Sequence, residues 1–305
     1  MENRACDLLQ AGYANATIAQ YRRYWVNFQD FRKSLALPLS LPAPARHLAL
    51  YLAHLHHSNV KSSTMKSILS ALAFHHKLLQ LSDPTKDFLI TRVLKGVKKF
   101  DSSSNVRTPI TLKILADLLK NVPITNVTPY MSTLMNALFT LMYFACLRIG
   151  EVCISSHDRH LLSISNVFTR KLDSPRPEIM IRLSTFKHSS RPASMLLPRH
   201  DDSLLDPIRS LLSYLEIRPP IQGPLFINKN GSSLTRYKVH KLLNTALTKA
   251  GYDPTRFNTH SFRSGRASDL AMAGASEQVI RETGRWHSNA FLNYLRFELF
   301  QLPTS

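Results

Sequence analysis

NVFTRKLDSPRPEIMIRLSTFKHSSRPASMLLP, residues 166–198, is the stretch whose reading decides the fold. Runs rich in β-formers alternate here with turn residues, which predicts a three-stranded antiparallel sheet. Everything around it carries helical periodicity. Upstream, MNALFTLMYFACL (135–147) is an apolar run of 13 residues, too short to span a bilayer, and reads as a buried core helix. Downstream, from about residue 203, the chain is again mainly helical, with a turn at Asn230-Gly231 in LFINKNGSSL. The fold class is therefore mainly α with a small antiparallel β-sheet.

Further out, residues 1–100 read as helical throughout. In TIAQYRRYWVNFQDFRKSL, Ile18, Tyr21, Trp25, Phe28 and Phe31 recur at three- and four-residue spacing, which marks one helical face. Pro42 and Pro44 interrupt that pattern, and Pro44 sits where a second helix can begin. SSTMKSILSALAFHHKLLQL opens with a Ser/Thr cap and carries Met65, Ile68, Leu69, Leu72 and Leu79 on one side. A fourth helix near 84–98 ends in LKGVKKF, and four short amphipathic helices make a small bundle. DSSSNVRTP (101–109) is polar and small. It divides the chain into a helical domain at 1–100, a linker at 101–108 and a second domain at 109–305.

The chain has 39 Lys and Arg against 20 Asp and Glu, a net charge of +19. Residues 1–100 hold 14 basic and 5 acidic residues, and residues 101–305 hold 25 and 15, so the excess is +9 and +10. Charge spread over both parts predicts that both face a polyanion, because Lys and Arg that neutralise phosphates release condensed counterions. Cys6, Cys146 and Cys153 form no CxxC or Cys/His metal spacing, which suits a reducing compartment and no metal or other cofactor. The start, MENRACDLLQ, has no signal-peptide pattern. The pairs His56-His57 and His75-His76 lack ligand spacing and are expected at helix surfaces.

Breaking a phosphodiester without a metal needs fixed cations at the nonbridging oxygens, and guanidinium forks suit them best. It also needs a nucleophile, a base, and an acid for the leaving 5′ oxygen. ACLRIGEV (145–152) places Arg148 and Glu151 at i, i+3, so that Glu151 can orient the guanidinium, although alone this is an ordinary surface ion pair. STFKHSS (184–190) puts Lys187 in a hairpin after a predicted strand. NTHSFRSGRASDLAMAGAS (258–276) holds His260 and Arg263 at i, i+3, with Thr259 or Ser261 to cap a helix whose first-turn N–H groups favour an anion. GRWHSNAFLNYLRFELF (284–300) carries Tyr294 on an expected helix, beside an apolar strip of Phe291, Leu295 and Leu299. Singly, each has an ordinary structural explanation.

In order, R-x-G-E, a hairpin Lys, H-x-x-R, G-R-W and Tyr resemble the tyrosine recombinase family, the phage integrases and their relatives. The resemblance covers nearly the whole chain. It implies that the N-terminal part is a SAM-like core-binding domain and the rest an α+β catalytic domain. The wording HSFRSGRASDLAMAGAS and GRWHSNAFLNYLR is most similar to the eukaryotic mobile-element branch, DIRS-like and Crypton-like, which implies a nuclear protein if the chain is eukaryotic, one of the cytoplasm or nucleoid otherwise, and in neither case a secreted one. By the same resemblance, Tyr294 attacks DNA to give a 3′-phosphotyrosyl link and Arg148 and Arg263 clamp the scissile phosphate. Lys187 is then the general acid, His260 the acid/base on the nucleophile's proton, and Glu151 a supporting residue. The implied partners are double-stranded DNA and further copies of the chain, as a tetramer on two DNA sites, with no membrane.

The family places His or Trp directly after the glycine of the last motif, and the tyrosine ten residues beyond that glycine. Gly284 to Tyr294 keeps that spacing, but Arg285 fills the slot and Trp286 and His287 follow. Trp286 is favoured as the phosphate hydrogen-bond donor, with His287 and Arg285 as alternatives. A type IB topoisomerase shares the tyrosine chemistry but has lysine where this chain has His260. A catalytically inactive or domesticated DNA-binding protein would be expected to lack one of Arg148, Lys187, His260, Arg263 and Tyr294, and all five are present.

Overall fold

The periodicities above build two compact units, Met1–Ser104 and Asn105–Ser305. The structure is a computed structural model and describes residues 4, 8, 12–101, 107–122, 128–154, 160–170, 177–184, 192–286 and 288–295.

In the first unit, α1 (Asn15–Ser34), α2 (Ala45–His57), α3 (Ser62–Leu78) and α4 (Phe88–Phe100) enclose a core of Phe28, Leu48, Tyr51, Leu52, Met65, Ile68, Leu72 and Ile90. Pro44 is the N-cap of α2, as its position suggested. The start of α3 differs from expectation. No Ser or Thr caps it; the Ser62 N–H instead donates to Asp101 Oδ2 at 3.1 Å, so the residue after α4 satisfies the start of α3. Leu79 lies beyond α3 and is exposed, whereas Met65, Ile68, Leu69 and Leu72 are buried. His76 is likewise not a surface residue. It is fully buried, accepts the Ala43 N–H at Nε2 (3.0 Å), and so donates from Nδ1 to the Leu72 carbonyl (2.8 Å).

The second unit begins before residue 109. The Thr108 N–H donates to the Arg256 carbonyl at 2.7 Å, and the Arg107 guanidinium donates to the Thr255 carbonyl. It continues with α5 (Leu112–Asn121), α6 (Pro129–Phe144) and the single turn α7 (Ile149–Val152). Strands β1 (Val167–Arg170), β2 (Glu178–Leu183) and β3 (Ala193–Leu196) then form an antiparallel sheet in the order β1-β2-β3. Ile179, Ile181 and Leu183 of β2 point into the core and Met180 and Arg182 point out, the period-two pattern of a half-covered sheet. Helices α8 (Pro207–Ile217), α9 (Arg236–Lys249), α10 (His260–Met272) and α11 (Glu277–Gly284) complete the unit. At its centre lies α6, apolar on nearly every face and packed against α8 and α10. No helix among the described residues is long and apolar enough to cross a membrane.

Candidate active site

The site forms where α6, α7, α10 and α11 end or begin. Helix α6 stops because Cys146 turns left-handed (φ 46°), and Arg148 then caps the new turn α7. Arg148 and Glu151 are therefore not neighbours on the face of one long helix. Glu151 reaches back as a capping residue: the Arg148 N–H donates to Oε2 at 2.8 Å and Arg148 Nη1 donates to Oε1 at 3.1 Å. The Glu151 side chain is only 2% exposed, and Arg148 16%.

A second guanidinium meets the same carboxylate. Arg285 is the C-cap of α11, left-handed at φ 54°, and its buried side chain donates from Nη2 to Glu151 Oε2 at 2.8 Å. It also donates from Nη1 to the Ala145 carbonyl (2.9 Å) and from Nη2 to the Cys146 carbonyl (3.1 Å). Burial lowers the pKa of Arg285, and Glu151 opposes that shift.

Arg263, on the first turn of α10, is fully buried. It donates to the Cys146 carbonyl, and from Nη2 to the Gly284 carbonyl at 2.8 Å. Its Nε has no hydrogen-bond partner among the described residues. Burial first, and then Arg148 and Arg285, push its pKa down to about 10. It remains a cation at neutral pH, held at a cost that an arriving anion would relieve. The one carboxylate of the cluster, Glu151, thus bonds two of its guanidiniums, Arg148 and Arg285, and acts on the third, Arg263, only through space.

The aromatic wall comes from the last motif. The guanidinium carbon of Arg263 lies 4.8 Å from the ring centroid of Trp286 and 5.7 Å from that of Tyr294. The two rings are 5.0 Å apart at 48°. Trp286 fits only because residue 284 is glycine: a Cβ there would sit 1.7 Å from Trp286 Cζ3. Tyr294 is half-buried and belongs to a 3₁₀ segment, Asn289–Tyr294, and not to an α-helix. Phe291 and Leu295 pack in its cluster, while Leu299 lies outside the described residues.

His260 opens α10 and is exposed. Neither Thr259 nor Ser261 caps the helix by the expected bond. Asn258 does so instead, accepting the His260 N–H at Oδ1 (2.8 Å), and its own N–H donates to Ser261 Oγ (3.1 Å). Lys187 and His287 lie outside the described residues. Of the residues singled out in the sequence, Arg148, Glu151, Arg263, Arg285, Trp286 and Tyr294 are linked by direct or shared contacts. His260 stands one turn before Arg263. No group of three or more His, Cys, Asp or Glu able to hold a metal occurs among the described residues.

Two supporting residues escaped the sequence reading. Gly265 lets the 110–111 backbone cross α10, since a Cβ there would meet the Ile110 carbonyl oxygen at 1.6 Å. A glycine inside a helix costs about 1 kcal/mol relative to alanine, and that was its available signal. Asp269 accepts the Leu112 N–H at 2.7 Å and the Tyr143 hydroxyl, tying α5 and α6 to α10. Burial raises its pKa, and those two bonds oppose the rise.

Comparison with known proteins places this arrangement. Among solved structures, the Tn1549 transposon integrase in complex with circular intermediate DNA superposes with a TM-score of 0.64 at 14% identity, over 94% of this chain and 91% of that one. The XerH site-specific recombinase bound to palindromic difH substrate gives 0.60 at 20% identity, over 87% and 72%. A lambda integrase dimer bound to a COC′ core site gives 0.63 at 15% identity, over 100% and 78%. These likenesses show the fold. Among curated proteins, none matches the sequence. The profile of the phage integrase family matches residues 115–295, more than half of the chain and the whole of the arginine and tyrosine cluster. The chain therefore belongs to the phage integrase family, the tyrosine recombinases.

Proposed function

We propose that this chain is a site-specific recombinase that cuts and rejoins double-stranded DNA through Tyr294. The observation that carries the reading is the guanidinium cluster: Arg263 lies against the ring of Tyr294, and Arg148 and Arg285 share the carboxylate of Glu151 beside it. The relatives of the same fold are described bound to DNA, and both halves of this chain are strongly basic.

In the proposed reaction, Arg148 and Arg263 hold the nonbridging oxygens of the scissile phosphate. The Tyr294 oxygen attacks phosphorus and the P–O5′ bond breaks, which leaves a 3′-phosphotyrosyl and a free 5′ hydroxyl. His260 takes the tyrosine proton and Lys187 protonates the 5′ oxygen. Trp286 donates its indole N–H to a phosphate oxygen, and Glu151 keeps Arg148 oriented. A 5′ hydroxyl from a second strand then reverses the chemistry. The phosphotyrosyl bond conserves the energy of the broken diester, so religation draws on neither ATP nor metal. The domain at 1–100 serves as the core-binding domain, and the assembly is a tetramer on two sites. The wording of the α10 and Tyr294 motifs favours a mobile element of the DIRS-like or Crypton-like kind, acting in a nucleus.

A nicked suicide substrate tests the reading. The chain should become covalently joined to DNA on a denaturing gel, and Tyr294→Phe should abolish the adduct. Persistence of the adduct in that variant would overturn the assignment of the nucleophile. Failure to form it on any duplex would favour a protein that only binds DNA.

A further inference from the structure

Arg285 sits directly after Gly284, where a recombinase of this family carries a phosphate donor, yet its guanidinium is turned into the protein. Its fork reaches four acceptors: the Ala145 carbonyl, the Cys146 carbonyl, Glu151 Oε2 and Met195 Sδ. Two of these are shared. Glu151 also holds Arg148 by its backbone N–H and by Nη1, and the Cys146 carbonyl also accepts from Arg263. The only side chain that touches the anchors of both phosphate-clamp arginines, among the described residues, is therefore Arg285. It does so from a left-handed backbone, a conformation that persists where the surroundings over-determine it.

We propose that Arg285 is a positioning residue that sets Arg148 through Glu151 and Arg263 through the Cys146 carbonyl, leaving the phosphate contact at the end of α11 to Trp286. This rests on the reading that Arg148 and Arg263 clamp the scissile phosphate. Glu151 alone would draw Arg148 into a closed pair and away from an incoming phosphate. With Arg285 neutralising the carboxylate, Arg148 keeps its remaining donors for the DNA. A planar fork is needed to span the carbonyls and the carboxylate together, so lysine cannot replace it fully.

The test measures single-turnover adduct formation at saturating DNA, on substrates with either a normal or a neutral methylphosphonate scissile linkage. Arg285→Gln should slow adduct formation on the normal linkage about 10–100-fold, the scale seen when a partner that orients a functional ligand is lost. DNA affinity should change less than about threefold, as expected for a residue that makes no phosphate contact. On the neutral linkage, where no anion needs to be clamped, most of that loss should vanish. Glu151→Gln should reproduce the loss, and the double variant should be no slower than the worse single one, as for two residues acting as one unit. Arg285→Lys should recover part of the rate.

Equal losses on both linkages would mean a general structural role and overturn the proposal. Multiplicative losses in the double variant would mean that Arg285 acts on phosphate independently of Glu151 and would also overturn it. If Arg285→Gln shows no folding transition, the comparison of linkages with Glu151→Gln and Arg285→Lys carries the same decision. No adduct from the wild-type chain would remove the parent reading and this one together. An adduct with the wrong pattern removes this one alone.

Discussion

At Arg263 the protein buries a guanidinium whose Nε meets no acceptor among the described residues and whose other two nitrogens donate there to main-chain carbonyls. Main-chain oxygens carry partial charge, so the cation is solvated but not neutralised. A phosphate would supply the missing charge, and the transition state, with more charge on its oxygens, would be held better still. Arg263→Lys should therefore lower the single-turnover rate of adduct formation about 100–1,000-fold, on the scale of losing one preorganised donor. A loss confined to DNA affinity would argue against this role. The sequence singled out Arg148, Arg263 and Tyr294 through their order and spacing. It left the slot after Gly284 open, because the direction of the Arg285 side chain depends on a left-handed backbone and on acceptors 134 to 140 residues away. No local pattern encodes such contacts.

Helix α9 shows how an element can be read for function beyond its packing. Val239, Leu243, Ala246 and Leu247 face the core, while Lys241, Lys249 and the 76% exposed Tyr237 face outward. If that face meets phosphates, Lys241→Ala should weaken binding on every DNA sequence alike and reduce the slope of log Kd against log salt by about 1. An unchanged slope would move this face off the DNA. Helix α10 carries a pH-dependent tie in Asp269, whose pKa is raised by burial. A carboxyl with a raised folded-state pKa contributes stability that is complete below its unfolded pKa and is lost as pH rises through the folded one. Asp269→Asn does not titrate, so its Tm relative to wild type should climb as pH rises above the ordinary carboxylate pKa of about 4. A flat difference would mean that the carboxylate is well accommodated. The long helices and the three strands were legible because each repeats its period over several residues. The end of α6 was not, since the break at Cys146 is a single backbone turn inside an apolar run. The 3₁₀ form of Asn289–Tyr294 was hidden likewise, because six residues are too few to separate a period of 3.0 from 3.6.

Across the whole molecule, the basic excess is nearly equal in residues 1–100 and 101–305, at +9 and +10. DNA affinity should therefore fall steeply with salt, and each half should contribute to the slope. Assembly is expected to depend on a different part of the chain. In the proposed tetramer, the amphipathic segment after Tyr294 docks on a neighbouring protomer. Deleting residues 297–305, which lie outside the described residues, should leave binding to a single site intact and abolish synapsis, read by native gel or by mass photometry of paired sites. An unchanged synaptic complex would refute this. A linker at 101–108 was legible in the sequence as a run of polar and small residues. Its chemistry was not, because Asp101 looks like linker and serves as a cap. That cap has a consequence for how such chains can be dissected or shuffled. The last helix of the bundle ends at Phe100, but the residue that closes the bundle follows it. A cut or fusion junction placed at the end of the helix would strip α3 of its N-terminal acceptor, whereas one after Ser104 would carry the acceptor along. The transferable module, for a protease, a recombination event or a gene-fusion design, is the helices together with the aspartate behind them.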